Sequence, residues 1–292
     1  MSVKINLLLI VCVLVSGIGM DLHAQNKKLK IINYNVLEGI KLDTTSNHQK
    51  FADWVNEQDP DILALQELNS FTQKKLEQLA RSFNHPYAVL LKETGYPVGI
   101  TSKYPIINVE KVLDNMWHGF IKAEIRGYNI FVIHLSPHVY WKRREEIDLI
   151  LNTSISESKG AQKTIIMGDF NSVSELDADA YQDGRLLERL RIADEKSPAI
   201  ENLAEGKLDY EVHRKMTQAG YIDAFRLKHK VYDSSALTLR FSENGKIPSR
   251  RIDYIYVSKD LKRKVSSASI IKDQFTHYHS DHYPVTIELN IK

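Results

Sequence analysis

The sequence predicts an α/β fold, and three observations indicate this class. Short apolar runs rich in β-branched residues, which are typical of strands, alternate with segments whose apolar residues recur at helical spacing. The chain has 292 residues, 43% hydrophobic and 26% charged, a composition typical of a globular protein with a large core. Polar side chains follow several apolar runs, where strand ends commonly open into a cleft. We expect one folded domain over residues 25–292.

The first 24 residues have the pattern of a secretory signal peptide. Lys4 precedes an apolar run from Ile5 to Ile18, and Asp21-Leu22-His23-Ala24 lies before Gln25. The run is short for a membrane span, so we place cleavage after Ala24. We therefore expect an exported protein, periplasmic or secreted, with no stable membrane association after cleavage. An uncleaved anchor is the alternative.

Cys12 is the only cysteine, and it lies inside the predicted signal peptide. A chain cleaved after Ala24 would have no disulfide, no thiolate nucleophile and no cysteine metal ligand. Lipidation at Cys12 is disfavoured because Val11 is bulky and apolar residues continue past it. The formal net charge of +2 neither demands nor excludes a phosphate-bearing partner.

Alternation and helical periodicity predict the following elements. The first half gives strands at Leu29–Val36 and Asp61–Glu67, an extended segment from His85 to Leu91, a strand end at Gly99, a hairpin of Phe120–Ile125 with Asn129–Leu135, and helices at Asn47–Glu57 with Asn47 as cap, Thr72–Phe83 and Tyr140–Ser158. The second half gives a central strand at Ile165–Met167, a helix at Val212–Ala219, paired strands Leu237–Phe241 and Ile252–Val257 joined through Glu243-Asn244-Gly245, and strands at Val265–Ile271 and Val285–Ile291. Ser172–Glu211 is acidic and irregular, and we interpret it as an elaborated loop that would set the shape of the substrate.

The central strand ends in Gly168-Asp169-Phe170-Asn171. Gly168 allows the backbone to come close to a bound group or to turn sharply. Asp169 and Asn171 are two residues apart, so their side chains can point the same way. A carboxylate and a carboxamide together can orient a water molecule and hold a phosphoryl oxygen. The structural alternative is an Asx turn after a strand.

Three further polar residues lie at or near predicted strand ends. Asn35 lies near the end of the first strand, Glu67 ends the second, and His134 closes the second strand of the hairpin. Glu67 is a candidate metal ligand because open sheets bind ligands at the carboxyl ends of their strands. The alternatives are a turn-forming asparagine, a solvated glutamate and a hydrogen-bonded core histidine.

Two more candidates lie in the last 50 residues. Asp253 interrupts an apolar and aromatic strand, and a buried carboxylate requires a partner, which in a purely structural interpretation is Arg250 or Arg251. The adjacent Asp281 and His282 offer a metal or water ligand and an imidazole together. The alternative for this pair is a solvated, histidine-rich loop.

Six short motifs occur along the chain in an order that resembles the endonuclease/exonuclease/phosphatase superfamily. This superfamily includes deoxyribonucleases, abasic-site endonucleases, inositol polyphosphate 5-phosphatases and neutral sphingomyelinases. The motifs are Asn35 after the opening strand, Leu65-Gln66-Glu67, Ile133-His134-Leu135, Gly168-Asp169-Phe170-Asn171, Arg251-Ile252-Asp253-Tyr254 and Ser280-Asp281-His282. The resemblance covers Leu29 to Leu289. It implies a four-layer sandwich, with two mixed β-sheets face to face and helices outside, and metal-dependent hydrolysis of phosphoester bonds.

The resemblance also implies a cation site. Glu67 would bind the divalent cation, Mg²⁺ or alternatively Mn²⁺, with help from Asn35 and Asp281. A phosphodiester is anionic and repels hydroxide, and a hard cation on carboxylate and amide oxygens would neutralise that charge.

The remaining matched residues would carry the chemistry. Asp169 would orient or deprotonate the attacking water, and Asn171 would hold a non-bridging phosphate oxygen. His282, paired with Asp253, would contact the scissile phosphate as a base or as a stabiliser. Asp253 would raise the basicity of His282 and fix its tautomer. His134 would bind phosphate or assist the leaving oxygen.

Three local features bear on the substrate. Tyr140 and Arg144 lie in a stretch, residues 138–144, that interleaves aromatic and basic groups and could bind a nucleic acid backbone or stack on a base; the alternative is an ordinary amphipathic helix start. Leu37 stands where abasic-site endonucleases of this superfamily carry an acid, which argues against that specificity. The predicted hairpin tip Ser242–Lys246 is polar, which disfavours a lipid substrate.

We therefore expect an exported, Mg²⁺-dependent phosphohydrolase that is more a phosphodiesterase or nuclease than a monoesterase, and that acts as a monomer. One alternative is a small-molecule or lipid-headgroup phosphatase, with Ser172–Glu211 closing over the substrate. Another is a non-catalytic binding protein on the same fold. We rank this last because every matched acid and histidine is present.

Overall fold

The structure is a computed structural model that describes residues 28–156, 162–243 and 245–291. Within these ranges two six-stranded β-sheets pack face to face, and helices cover their outer faces. The predicted four-layer sandwich of two mixed sheets is confirmed. The predicted signal peptide, Cys12 and the last two residues of the predicted helix Tyr140–Ser158 lie outside the described residues.

Each sheet contains one parallel pair of strands among antiparallel ones. The first sheet has the order β11 (Val265–Ile270), β12 (Val285–Asn290), β1 (Lys28–Asn35), β2 (Ile62–Gln66), β4 (Gly99–Ser102) and β3 (Tyr87–Leu90). The second has the order β5 (Ile107–Val112), β6 (Phe120–Ile125), β7 (Tyr128–His134), β8 (Thr164–Asp169), β10 (Asp253–Ser258) and β9 (Tyr221–Asp223). The parallel pairs are β1 with β2 and β7 with β8, at the centre of each sheet.

The helices connect the strands. They are α1 (Leu37–Ile40), α2 (Gln49–Gln58), α3 (Gln73–Ser82), α4 (Tyr140–Ser156), α5 (Arg185–Lys196), α6 (Glu211–Gln218), α7 (Ala224–Lys228) and α8 (Thr276–His279), with 3₁₀ turns at Ser46–His48, Glu175–Tyr181 and Lys259–Leu261. Across the described ranges, none of these helices has the length and apolar character needed to cross a membrane.

Alternation of side chains along the strands produces three apolar layers. Ile31 of β1 and Ile165 of β8 point into the cluster between the two sheets. Their neighbours Ile32 and Ile166 point outward, the first into the cluster with α2 and α3 and the second into the cluster with α4 and α6. Full burial of one such side chain contributes roughly 1.5–3 kcal/mol. The inter-sheet layer fixes how the strand ends of the two sheets lie relative to each other.

The predicted strand Leu237–Phe241 and its hairpin with Ile252–Val257 are wrong. β10 begins at Asp253 and pairs with β8 and β9. Residues 237–241 form a turn, in which the Ser242 N–H donates to the Thr238 carbonyl at 2.8 Å. The turn signal around Gly245 thus belongs to an irregular connection and does not join two strands. Because Leu237–Phe241 is not a strand, the predicted hairpin does not form, and the polarity of its predicted tip gives no argument about lipid substrates.

Two other local predictions need correction. Ser172–Glu211 is not one elaborated loop, because it contains the 3₁₀ turn Glu175–Tyr181 and helix α5. Its apolar residues are spaced among many charges, which concealed the helix. Asn47 does not cap α2. It lies in a 3₁₀ turn with φ +55°, and His48 precedes the helix without a side-chain cap bond.

His85 joins β4 of the first sheet to the segment before β2. Its Nδ1 lies 2.7 Å from the Thr101 hydroxyl and its Nε2 lies 2.8 Å from the Pro60 carbonyl oxygen. The carbonyl can only accept, so Nε2 carries the proton and Nδ1 accepts from the hydroxyl. Burial lowers the pKa of His85 to about 4.

This neutral histidine predicts a pH dependence of stability. Between pH 6.5 and pH 4 the unfolded chain protonates His85 while the folded protein does not, so the free energy of unfolding falls with falling pH. The loss from this group is roughly 3 kcal/mol. We expect His85→Gln to lose less stability than the wild type over this interval in urea titrations. The variant His138→Gln, at an exposed histidine, should behave like the wild type. Equal pH dependence in His85→Gln and the wild type would contradict the prediction.

Candidate active site

The candidate site lies where the central strands of both sheets end. Asn35 ends β1, Glu67 follows β2, His134 ends β7 and Asp169 ends β8. Asp169 lies opposite His134 of β7 on one side and opposite Asp253 of β10 on the other. The carboxyl ends of both parallel pairs therefore meet around Asp169. Open sheets bind their ligands at this kind of edge.

Strand alternation points these side chains toward the space between the sheets. Asp169 lies two residues after Met167, and Asn35 lies four residues after Ile31; both apolar residues belong to the inter-sheet layer. Gly168 allows β8 to lie close to β7, because a Cβ atom at this position would be 2.0 Å from the Ile133 carbonyl oxygen. The close approach at Gly168 is therefore to the neighbouring strand β7, whereas the sequence predicts a bound group or a sharp turn there.

The Asn35 carboxamide bridges the two sheets. Its Nδ2 donates to Glu67 Oε1 at 3.0 Å and to Asp169 Oδ2 at 3.1 Å. Its Oδ1 accepts from the Leu37 N–H at 3.2 Å. Glu67 has φ +62° and its other carboxylate oxygen accepts from the Glu38 N–H at 3.0 Å. These bonds hold the Glu67 carboxylate close to Asp169.

Asp169 lies at the centre of the cluster and is almost fully buried. Its Oδ1 accepts from the Asn171 N–H at 2.8 Å. Its Oδ2 lies 3.6 Å from Nε2 of His134 and 3.9 Å from Nε2 of His282. Asn171 has φ +48°, and its Nδ2 donates to the Leu135 carbonyl at 3.1 Å. Asp169 thus faces two imidazoles and lies against Asn171.

His282 and Asp253 form a buried pair. His282 Nδ1 donates to Asp253 Oδ2 at 2.8 Å, and the Ser235 hydroxyl donates to the same oxygen at 2.7 Å. Burial by itself lowers the pKa of His282, but the carboxylates of Asp253, Asp281 and Asp169 together raise the pKa well above 6.5. The pair leaves Nε2 of His282 directed toward Asp169 and Asp281.

Neither Arg250 nor Arg251 is the partner of Asp253, so that structural interpretation is wrong. Arg251 instead lies 2.7 Å from the carboxylates of Asp177 and Asp223 and stacks over the Tyr254 ring at 4.3 Å. In a regular strand, residues two apart point to the same face, so Arg251 and Asp253 would share one. Arg251 precedes the regular part of β10, and its side chain is therefore free to point away from that of Asp253.

One set of groups lies close enough together to hold a metal ion, and a second set, which shares no residue with it, is the one that the family resemblance implies. Carboxylate oxygens of Asp169 and Asp253 and a ring nitrogen of His282 lie within 4.8 Å of one another. The mutual hydrogen bond of Asp253 and His282 already uses two of these groups. The second set is Asn35, Glu67 and Asp281. Its donors are oxygens, which hard cations prefer, and Asp281 Oδ1 is buried without a hydrogen-bond partner among the described residues.

Tyr140 and Arg144 lie apart from this cluster. Arg144 forms a bidentate pair with Asp209, with its closest contact at 2.7 Å, and stacks over the Tyr140 ring at 4.9 Å. Both residues line a cleft of about 640 Å³ against residues 181–214. No contact in the described part of the chain links either residue to Asp169 or His282. The remaining eight predicted residues lie at the strand ends and loops that surround Asp169.

Sequence reasoning assigned no role to three residues that shape the site, although Ser280 lies in one of the six motifs. Ser235 orients Asp253, and Ser280 links β1 to the loop that carries Asp281. His118 stacks on His134, with the ring centroids 4.2 Å apart and the planes at 19°. A serine in a loop carries no distinctive signal. His118 could have been found only from its place directly before Gly119 and a predicted strand.

The Ser280 hydroxyl predicts a measurable stability effect. It donates to the Asn35 carbonyl at 2.7 Å and accepts from the His282 N–H at 3.2 Å. Ser280→Ala leaves both buried groups unpaired, and we expect the free energy of unfolding to fall by about 1–3 kcal/mol. Displacement of Asn35 and His282 should also lower phosphoester hydrolysis by roughly a hundredfold.

The control is Ser266→Ala, which removes a similar bond to the Glu288 carbonyl at 3.0 Å. Glu288 pairs with Lys30 near the start of β1, whereas Asn35 ends that strand. This variant should keep wild-type activity. The proposed link between β1 and the His282 loop would be refuted if Ser280→Ala had the same free energy of unfolding and the same rate of phosphoester hydrolysis as the wild type.

Comparison with known proteins agrees with this geometry. The model of the Endonuclease/Exonuclease/phosphatase family matches residues 32–282. Three similar solved structures each cover 90% of this chain and are themselves covered completely. They are an AP endonuclease from Archaeoglobus fulgidus (TM-score 0.66, 18% identity), a 3'-5' exonuclease from Neisseria meningitidis (TM-score 0.68, 18% identity) and a 3' phosphatase from Neisseria bound to a product DNA hairpin (TM-score 0.66, 19% identity).

A search of curated proteins finds no match. The solved structures are too distant in sequence to show more than a shared fold. The family match, however, begins in β1, ends at His282 and includes every motif from Asn35 onward. The chain therefore belongs to the endonuclease/exonuclease/phosphatase family and is a phosphoric ester hydrolase.

Proposed function

We propose that this protein is an exported, Mg²⁺-dependent phosphodiesterase with nuclease-like chemistry. The observation that carries the proposal is the bridge from Asn35 to both Glu67 and Asp169, which brings a candidate cation ligand next to a candidate water-activating carboxylate. The two imidazoles of His134 and His282 face the same carboxylate. A hydrolase that acts on an anionic phosphoester needs these three kinds of group together.

Glu67, Asn35 and Asp281 would hold the cation. The family is metal-dependent, and the oxygen donors of this set favour Mg²⁺, or alternatively Mn²⁺, over softer metals. The bound cation would neutralise charge on the phosphate. The unpartnered Oδ1 of Asp281 supports this assignment, because a buried carboxylate oxygen without a hydrogen bond is costly unless a ligand contacts it.

Asp169 would orient the attacking water and take its proton. Its Oδ1 is held by the Asn171 N–H and its Oδ2 by Asn35, so the carboxylate has one fixed orientation. A base held in this way needs little reorganisation when the reaction occurs. Asn171 would contact a non-bridging phosphate oxygen through the part of its carboxamide that Leu135 does not bind.

His282 and His134 would contact the phosphate from the two sides of Asp169. Asp253 binds Nδ1 of His282, so Nε2 is the nitrogen that can reach the substrate. His134 offers Nε2 on the side of β7. Donors placed around the developing negative charge stabilise the transition state of phosphoryl transfer.

A nucleic acid is the substrate class that the comparisons favour. The similar structures are named as an AP endonuclease, a 3'-5' exonuclease and a 3' phosphatase bound to DNA. Tyr140 and Arg144 would contact the substrate outside the reacting phosphate. The Arg144 guanidinium is held by Asp209, so the half-buried Tyr140 ring in this cleft would be the stronger contact. We further propose that the enzyme acts as a monomer without stable attachment to a membrane.

The function is tested with purified residues 25–292 on bis-(p-nitrophenyl) phosphate, DNA, RNA, sphingomyelin, inositol phosphates and p-nitrophenyl phosphate. We expect diesters to be cleaved faster than monoesters, EDTA to abolish activity and Mg²⁺ to restore it. Glu67→Gln, Asp169→Asn and His282→Asn should each lower kcat by roughly 10²–10⁴-fold.

The matched controls are Glu288→Gln and His229→Asn. Glu288 pairs with Lys28 at the far end of the first sheet, and His229 contacts the Ala268 carbonyl. Both variants should keep wild-type rates. Activity confined to monoesters would overturn the phosphodiesterase assignment, and activity that survives EDTA would overturn the metal dependence.

Export is tested by expression of the full chain in a bacterial host with a C-terminal tag. We expect the tagged protein in the periplasm or the medium, with Gln25 or its pyroglutamate form as the N-terminal residue by mass spectrometry, because the segment before it has the pattern of a cleaved signal. A chain that lacks residues 2–24 should stay in the cytoplasm. An intact N-terminus in the membrane fraction would instead establish the uncleaved anchor.

A further inference from the structure

His118 extends the site by one ring beyond His134. It lies on the loop between β5 and β6, and its ring stacks on His134 with centroids 4.2 Å apart and planes at 19°. His134 in turn has Nε2 3.6 Å from Asp169 Oδ2. The His118 ring also lies 5.7 Å from the Tyr96 ring, which is exposed to solvent. The stacked rings therefore lead from Asp169 toward the surface.

Both stacked rings have a nitrogen without a partner. His118 Nε2 and His134 Nδ1 are buried, and neither has a hydrogen bond within the described ranges. His118 is 7% exposed. Buried polar atoms in native proteins almost always find a partner, because an unpaired one costs roughly 1–3 kcal/mol. Two such atoms in contacting rings beside a catalytic carboxylate indicate a place for a polar ligand.

The charge around these rings favours an anion. Burial, followed by the influence of His134 and Lys92, lowers the pKa of His118 to about 2, so its ring is neutral and one nitrogen can donate an N–H. Burial also lowers the pKa of His134, against the carboxylates of Asp169 and Glu67, and Lys92 adds a smaller lowering effect. The neighbour of Lys92 in the chain, Leu91, lies 2.9 Å from where a Cβ atom on Gly119 would be, so Lys92 lies near the loop that carries His118. Lys92 is partly buried, and the described part of the chain shows no ion pair for it. A cationic headgroup would meet this positive charge, whereas a phosphate would be attracted to it.

The loop that carries His118 is held in place before any ligand binds. The Trp117 N–H donates to the buried Glu146 carboxylate, which also accepts from the Ser136 N–H at 2.7 Å. Ser136 lies two residues after His134, so Glu146 ties the two histidine segments together. Gly119 has φ +96°, and a Cβ atom there would be 2.6 Å from the Val112 carbonyl oxygen. The stacked pair is thus preorganised.

We propose that His118 and Lys92 complete, with His134, an anion-binding cradle beside Asp169 that holds the phosphate group of the substrate. His118 donates from Nε2 to a phosphate oxygen, and Lys92 supplies the balancing positive charge. The proposal rests on the proposed function, because it identifies further residues that contact the same substrate. It assigns binding of the phosphate, and no proton transfer, to His118.

The test uses two variants and one control. His118→Phe keeps a flat ring against His134 and removes both nitrogens, and Lys92→Gln removes the charge. Lys262→Gln, at an exposed lysine after a 3₁₀ turn, is the matched control. The first readout is the KM for bis-(p-nitrophenyl) phosphate and the inhibition constant of inorganic phosphate. The second readout is the ¹⁵N spectrum of the imidazoles during titration of the EDTA-treated protein with inorganic phosphate, which requires neither metal nor turnover.

We expect His118→Phe and Lys92→Gln each to raise KM and the phosphate inhibition constant by roughly ten- to a hundredfold, the loss of one hydrogen bond or ion contact to a charged group. The change in kcat should be smaller, because this contact holds substrate and transition state alike. Phosphate should shift the His118 signals in the wild type, and Lys92→Gln should move that shift to higher phosphate concentration. Lys262→Gln should match the wild type throughout.

The outcomes separate this inference from the proposed function. Diester hydrolysis by the wild type with unchanged KM, inhibition constant and ¹⁵N response in both variants overturns the cradle and leaves the function standing. A wild type that hydrolyses no phosphoester, but whose His118 signals respond to phosphate in a Lys92-dependent way, supports the cradle and overturns the function. If circular dichroism shows that His118→Phe does not fold, Lys92→Gln and the wild-type titration decide the question.

Discussion

One carboxamide connects the two halves of the site. Asn35 ends a strand of the first sheet, and its Nδ2 donates to Glu67 in that sheet and to Asp169 in the other. This bridge forms only because the inner faces of the sheets pack at a fixed distance and register. The apolar layer between the sheets, which includes Ile31 and Ile165, sets that distance. The polar cluster is therefore positioned by hydrophobic packing at a distance from the chemistry.

The site also brings together several buried polar groups, each of which would destabilise the fold if it had no hydrogen-bond partner. Asp253 is stabilised by Ser235 and His282, and Asp169 by Asn35 and Asn171. Buried carboxylates are tolerated when hydrogen bonds replace the lost water. The atoms that still lack such a bond, Asp281 Oδ1 and the nitrogens of the stacked histidines, are the ones that a ligand would satisfy.

The sequence predicted most of the central architecture because local patterns decide it. β1, β2 and the hairpin of β6 and β7 are short, apolar and bounded by clear turn residues, and the structure has them close to the predicted bounds. Asn35, Glu67, His134 and Asp169 were also predicted, because each ends or follows such a strand. The prediction of a hairpin with Leu237–Phe241 was wrong although its turn signal was genuine. The strands that pair with β10 are β8 and β9, which lie far away in the sequence.

Other features could not be predicted because tertiary contacts create them. β5 carries exposed residues on both faces and shows no alternation, so only its pairing with β6 defines it. β9 has three residues, too few for a pattern. The stacking of His118 on His134 depends on a loop held by Glu146. The sequence could not identify the acids that pair with Arg251, because Asp223 and Asp177 lie about 30 and 70 residues away in the chain.

The Arg251 network has a consequence for how this enzyme could diversify. The Arg251 guanidinium pairs with Asp177 in the 3₁₀ turn Glu175–Tyr181, and Arg251 lies two residues before Asp253. A graft of a foreign segment between Ser172 and Glu211 would remove one of the two carboxylates that balance the buried Arg251, which lies close in the chain to the residue that aligns His282, and would leave only Asp223. Evolution or engineering of new specificity through that segment is therefore favoured in sequences that return an acid to the position of Asp177.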